Sequence, residues 1–168
     1  MSVEAVRKYL AKWGKDGAVQ EFQVSSATVD LAAQALGVEG KRIAKTLSFR
    51  GKGEPDAEGH FPVILVVAAG DAKVDNTAFK DQFGFKAKML SPEDALAGTG
   101  HAVGGVCPFA LTNPRAEVYL DVSMKRFPSV FPACGSSSSA VEMTCDELFE
   151  MSGAKEWVDV CKAWRGDV

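Results

Sequence analysis

The 168-residue chain reads as an α+β protein, on three observations. Several segments place apolar residues at helical spacing between residues that start and stop helices. Val63-Ile-Leu-Val-Val-Ala-Ala69 is the most apolar run in the chain, and a run of that length suits a strand covered on both faces. Strand-like segments stand on both sides of one glycine-rich loop, so helices and strands are mixed along the chain. The length suits a single domain, residues 1–168, with room for a substantial core.

Taken in order, Val3, Val6, Leu10 and Trp13 share one face of a first helix over about 2–13, which Gly14 and Gly17 end. Phe22 and Val24 suggest a short strand. Thr28 is an N-cap for a helix over Val29–Leu36, and Gly37 is its stop. Lys41–Ala44 reads as a helical turn, Thr46–Phe49 and Pro62–Ala68 as strands. The polar, glycine-bearing segment Arg50–Phe61 between them is a surface connection, and His60 at its end has no catalytic pattern around it.

Asn76 is read as the cap of a helix to Phe83, followed by a strand over Lys86–Leu90. Ser91-Pro-Glu-Asp is a helix start, with serine at the N-cap, proline at N1 and acids in the first turn. That helix runs to Gly98. Strands are expected over Glu117–Val122, Ser129–Ala133 and Val141–Met143. Thr144-Cys-Asp-Glu147 has the capping-box pattern. A last helix is expected to carry Trp157, Val160, Cys161 and Trp164 on one face.

Composition narrows the function classes. The chain is 46% hydrophobic and 24% charged, ordinary values for a globular protein. No stretch has the length and apolarity of a membrane-spanning helix, and the N-terminus lacks the basic and apolar regions of a signal peptide. A cytoplasmic location follows as the expectation. Cys107, Cys134, Cys145 and Cys161 form no C-x-x-C pair, and only two histidines accompany them. Free thiols are expected, with no metal and no cofactor. A net charge of −3 argues against a grip on DNA or long duplex. It leaves room for an enzyme that touches only a single-stranded end.

Chemistry concentrates in Gly98-Thr-Gly-His-Ala-Val-Gly-Gly-Val-Cys-Pro-Phe109, which holds four glycines, His101, Cys107 and Pro108. Glycine lets a backbone approach a ligand closely, and proline stiffens the turn. Such a loop suits holding an oxygen-rich small group, and it equally suits a tight structural turn. Lys45 places a charge at the mouth of an apolar strand.

These pieces carry a resemblance. Gly104-Gly-Val-Cys-Pro108 is similar to the G-x-x-x-P loop of the bacterial prolyl-tRNA synthetase editing domain and its free-standing relatives, the YbaK/EbsC family. Leu36-Gly37-Val38 followed by Arg42-Ile-Ala-Lys-Thr-Leu47 resembles that family's ALG…I.KTL segment. Val66–Asp71, Val118–Asp121 and Pro132–Gly135 fall in the same order and spacing. The resemblance covers about Phe22 to Leu148. It implies a bent, barrel-like mixed β-sheet surrounded by helices, with a pocket between sheet and helices. It also implies hydrolysis of the ester that joins an amino acid to the tRNA 3′ end.

On that resemblance Lys45 contacts the terminal phosphate or the ester oxygen, and backbone N–H groups of Gly104 and Gly105 bind the carbonyl oxygen. His101, Val106, Cys107, Pro108, Gly135, Ser136, Ser137 and Asp121 are the expected substrate-binding residues. Each has a plainer reading: a loop histidine with a structural hydrogen bond, a polar turn, a strand-end acid. His101 stands where the YbaK branch has an aromatic residue, and the serine run stands where relatives carry a basic residue or histidine. Cys107 as a thiol nucleophile lacks an orienting acid. The implied function is a trans-editing deacylase for mischarged tRNA, proline tRNA carrying Cys, Ala, Ser or Thr. The implied partners are the 3′ end of aminoacyl-tRNA and a transient complex with prolyl-tRNA synthetase, with no membrane and no DNA. A non-catalytic module that binds tRNA ends or a protein is the alternative.

Overall fold

A computed structural model describes residues 2–23 and 28–165. Its centre is β3 (Val63–Ala69), all seven residues of which are buried. β3 pairs antiparallel with β2 (Ile43–Arg50), Lys45 opposite Ala68 and Thr46 opposite Val67. On its other side it pairs parallel with β5 (Ala116–Asp121). β6 (Phe131–Pro132) and β8 (Glu156–Val158) complete a mixed five-stranded sheet of order β6-β2-β3-β5-β8. The apolar run is therefore central because both its edges and both its faces are covered.

Two small ladders flank the sheet. β1 (Gln20–Glu21) pairs with β7 (Ser139–Ala140), and β4 (Lys73–Val74) pairs with β9 (Cys161–Lys162). Among the described residues five α-helices accompany them: α1 (Ser2–Leu10), α2 (Val29–Leu36), α3 (Asn76–Phe83), α4 (Pro92–Thr99) and α5 (Cys145–Ser152). Val3, Val6 and Leu10 of α1 join the main core, as their spacing requires. Phe79 of α3 packs against Phe49 of β2, ring centroids 4.8 Å apart and planes tilted by 50°. A second, small cluster unites Ala32 and Ala33 of α2 with Ile43 and Phe131. It seats α2 over β2 and β6 and so builds one wall of the site described below.

The local signals work as expected at three helices. Thr28 accepts from the Leu31 N–H, and Gly37 closes α2 in the left-handed region. Ser91 caps α4. Thr144 and Glu147 form the reciprocal capping box of α5.

Other elements differ from the sequence reading. β2 starts at Ile43, so Lys45 lies within the strand, and the helical turn before it is a 3-10 turn over Gly40–Arg42. Asp75, not Asn76, caps α3, accepting from the Thr77 and Ala78 N–H groups. α4 extends to Thr99, with Gly100 as its cap. Lys86–Leu90 forms no strand and makes a single bridge, Met89 to Phe49. The first strand is Gln20–Glu21, Phe22 continuing it with a hydrogen bond to the Ser138 carbonyl; Val24 lies outside the described residues. The strand expected at Val141–Met143 falls instead at Ser139–Ala140, leaving a bridge between Val130 and Met143.

The largest correction is the last helix. Gly153, at φ 67°, ends α5, and the Lys155 N–H then donates to the Val118 carbonyl. Glu156–Val158 becomes a parallel edge strand and Cys161–Lys162 a second short strand. The spacing of Trp157, Val160, Cys161 and Trp164 mimics a helix face, yet backbone pairing to β5 and β4 decides the structure.

Candidate functional site

A cleft of about 260 Å³ lies between α2, β2, the glycine-rich loop and the Phe131–Ala140 segment. It brings together Lys45, Gly104 and Val106, three of the residues expected from the sequence. Thr28, Thr46 and Ser139 add hydroxyls, and Val29, Ile43 and Phe131 belong to its apolar wall. Lys45 is the one ionisable side chain among the described residues lining it.

Lys45 is half-buried, and its Nζ donates to the Gly70 carbonyl at 3.4 Å. Burial lowers its pKa below the usual lysine value; the Lys73 ammonium pushes the same way and the Asp71 carboxylate opposes. Among the described residues that cation has no carboxylate in hydrogen-bonding contact; Asp71 is held by Arg126 at 2.6 Å. Gly70 is forced by its neighbour: a Cβ there would stand 2.1 Å from the Gly40 carbonyl oxygen. The carbonyl that steadies Lys45 is thus fixed by packing.

In the loop, Gly104 adopts φ 98°, which favours glycine. Gly105 is buried, and its N–H donates to the Ala102 carbonyl at 2.9 Å. The N–H expected to meet a substrate at Gly105 is therefore spent inside the turn, and Gly104 is the glycine that borders the cleft. The Thr46 hydroxyl oxygen, shielded from solvent, has no hydrogen-bond partner among the described residues.

The other expected site residues lie elsewhere. His101 is 1% exposed. Its Nε2–H donates to the Phe109 carbonyl at 2.7 Å and its Nδ1 accepts from the Ser2 hydroxyl at 2.8 Å, so both ring nitrogens are used within the fold. Burial lowers its pKa, which keeps it neutral. Cys107 is wholly buried, 3.5 Å from His101 Nε2, and burial pushes its thiol up to about 12. A thiol so hard to ionise is no nucleophile at neutral pH, and Cys107 packs the core instead of lining the cleft. Pro108 is buried beside it.

Asp121 is buried as well and accepts from the Ser123 and Val160 N–H groups, both at 2.9 Å. It caps a 3-10 turn and ties the chain after β8 to the sheet. Gly135 supports the loop from behind at φ 94°. Ser136 donates to Ser139 Oγ at 2.9 Å. From the serine run the cleft takes Ser139, not Ser136 or Ser137. The sequence reading missed Thr28, Phe131 and Ser139 as wall residues. Only the cap role of Thr28 was visible; Phe131 and Ser139 arrive through strand pairing, and Thr28 comes with α2, which packs on Ile43 and Phe131.

The fold and cleft define a small α+β protein that holds one partly desolvated lysine against a glycine loop, in a recess otherwise uncharged among the described residues. The aminoacyl-tRNA editing domain family matches residues 24–151, and the chain belongs to that family. It is 56% identical over 164 residues to the uncharacterised protein YwhH of Bacillus subtilis, covering 98% of this chain and 99% of that one. The fold is similar to a crystal structure of a candidate trans-editing enzyme for prolyl tRNA synthetase, at a TM-score of 0.81 and 29% identity, covering 96% of this chain and 97% of that one. A hypothetical protein of known structure aligns at a TM-score of 0.74 and 27% identity, over 92% and 99% of the two chains. Family membership sets aminoacyl-tRNA editing as the general activity and aminoacyl-tRNA as the substrate class. No helix among the described residues is long and apolar enough to cross a membrane.

Proposed function

We propose that the chain is a trans-editing deacylase that hydrolyses the ester of mischarged tRNA, with proline tRNA carrying Cys, Ala, Ser or Thr as the substrate set. The observation that carries this reading is the meeting of Lys45 and Gly104 across one small cleft. An aminoacyl ester is already activated, so position and charge stabilisation supply most of what is needed. Water attacks the ester carbonyl carbon, and the Gly104 backbone with the Lys45 ammonium stabilises the oxyanion that forms. The bond from carbonyl carbon to ribose oxygen then breaks, giving a free amino acid and a tRNA hydroxyl. The proton lost by the water is taken up by a substrate group, the α-amine or the neighbouring ribose hydroxyl, and is returned to the leaving oxygen. Small uncharged side chains suit the recess, because among the described residues no charged wall residue other than Lys45 would meet them. The protein acts in the cytoplasm, alone or in a transient complex with prolyl-tRNA synthetase.

One observation favours a second reading, a module that binds tRNA ends without hydrolysis: no side chain able to serve as a general base at neutral pH lines the cleft among the described residues. A deacylation panel separates the two. Purified protein and Lys45→Ala are incubated with proline tRNA charged with Cys, Ala, Ser, Thr or Pro, and with the matching cognate tRNAs. Lysine-dependent loss of one or two esters establishes the deacylase. Binding of every charged tRNA with all esters intact establishes the module.

A further inference from the structure

The cleft does not end at Lys45. A second hollow of about 330 Å³ shares Lys45 and Leu47 with it and continues to Lys73, Asn76 and Ala87. A third, of about 560 Å³, shares Asn76 and Ala87 with the second and carries Lys80 and Lys86. The three recesses thus form one path, and a lysine stands at each stage of it. Asp81 is the one carboxylate lining the two outer hollows among the described residues.

Lys45, Lys73, Lys80 and Lys86 have no acidic partner within 4.0 Å among the described residues, as is true of most lysines of the chain. What sets these four apart is that they line hollows that share residues with one another. Lys73 also stands directly opposite Lys162 across the β4–β9 ladder. Like charges at directly opposed positions destabilise a strand pair. Lys73 is near enough to Lys45 to disfavour its charged form. An external polyanion would relieve the repulsion. Met89, 59% exposed, lines the middle hollow and offers a polarisable apolar surface to a base.

We infer that this path seats the single-stranded 3′ end of the tRNA. The phosphate nearest the esterified nucleotide lies between Lys45 and Lys73, and the preceding backbone runs past Lys80 and Lys86. Lys73 and Lys86 are then RNA-binding residues with no part in bond cleavage. The inference rests on the editing reading for the identity of the RNA. A single strand fits better than duplex, because the basic feature is one row leading into a narrow recess.

Binding and hydrolysis test it separately. Anisotropy of a labelled, uncharged oligoribonucleotide ending in CCA is titrated with salt. Wild type, Lys73→Ala, Lys86→Ala and the distant control Lys155→Ala are compared after circular dichroism confirms their folds. Each lost phosphate contact should reduce the slope of log K against log salt by about 0.7, in the first two variants and not in the control. In parallel, Lys73→Ala and Lys86→Ala should raise KM for aminoacyl-tRNA several-fold with kcat unchanged. They should not alter hydrolysis of the same amino acid esterified to adenosine, which lacks the upstream phosphates. Unchanged slopes in both path variants, or an equal change in Lys155→Ala, overturn the path even if the wild type hydrolyses both esters. Lysine-dependent slopes in a protein that hydrolyses neither ester uphold the path and defeat the deacylase reading alone.

Discussion

Gly105 and Gly135 meet backbone to backbone, so closely that a Cβ on Gly105 would stand 2.5 Å from the Gly135 carbonyl carbon. Gly135 rests in turn on Ser2, where an added Cβ would come within 2.9 Å of the Ser2 carbonyl. The start of α1, the serine-run turn and the glycine loop are therefore stacked, and the loop that borders the cleft is held from behind. Gly105→Ala should force these layers apart at a cost of about 1–3 kcal/mol and displace Gly104. Urea unfolding should show the lower midpoint, and deacylation should fall further than the loss of folded protein explains. Gly104→Ala should cost a similar amount through its φ of 98° alone.

Among the described residues Lys45 has one side-chain hydrogen bond, at 3.4 Å to the Gly70 carbonyl, and it is partly desolvated. Lys45→Ala should slow ester hydrolysis by about a hundredfold or more, the scale of one lost charge-stabilising donor, while thermal stability stays the same or rises. Because burial lowers its pKa, the ammonium is lost at a pH below the ordinary lysine range. Affinity for a non-hydrolysable amide analogue of the charged tRNA end should accordingly weaken as pH rises through that lowered value. In Lys45→Ala this alkaline loss should vanish. The amide analogue keeps spontaneous ester hydrolysis out of the measurement.

Cys107 should be chemically silent. Its thiol is fully buried and pushed up to about 12, so iodoacetamide at neutral pH should modify it only after unfolding. Cys107→Ala should retain deacylation within about twofold, since cleft geometry and not thiolate attack sets the rate. Peptide mapping of protein alkylated before and after denaturation reads the first outcome directly.

Asp121 should matter to folding and not to chemistry. Asp121→Asn keeps the shape but weakens two charge-assisted bonds, to the Ser123 and Val160 N–H groups. A loss of about 1–3 kcal/mol is expected, with activity per folded molecule unchanged. A drop in kcat without a drop in stability would return Asp121 to the site.

What the sequence could reveal follows from the range of each interaction. The caps at Thr28, Ser91 and Thr144 were legible because cap and helix lie within four residues of each other. β3 was legible because a strand buried on both faces must be apolar throughout. β8 and β9 were not, because their partners, Tyr119–Asp121 and Lys73–Val74, lie far back in the chain. The site divides in the same way. Lys45 and Gly104 were readable from local motifs, while Phe131 and Ser139 reach the cleft through pairing with β2 and β1. His101, Cys107 and Asp121 looked chemical because of residue type. Burial, which sequence does not state for polar residues, made them structural.

His101 gives the fold an acid-sensitive point. Its neutral ring donates from Nε2 to the Phe109 carbonyl and accepts at Nδ1 from Ser2, with the Cys107 thiol beside Nε2, while its backbone N–H donates to the Thr99 hydroxyl. Burial depresses its pKa below the usual 6.5, more than the Phe109 bond raises it. Above pH 6.5 the histidine is neutral in both folded and unfolded chains, and its contribution is fully present. As pH falls below that value the unfolded chain takes up a proton that the folded chain refuses. Stability should then decline, by at most about 1.4 kcal/mol per pH unit, until pH reaches the lower folded value. His101→Gln, which cannot titrate, should be less stable at pH 7.5 but should lose less on acidification to about pH 5. Urea midpoints of the two proteins across that range measure the difference. Parallel curves would mean that the ring takes up its proton in the folded state as readily as in the unfolded one.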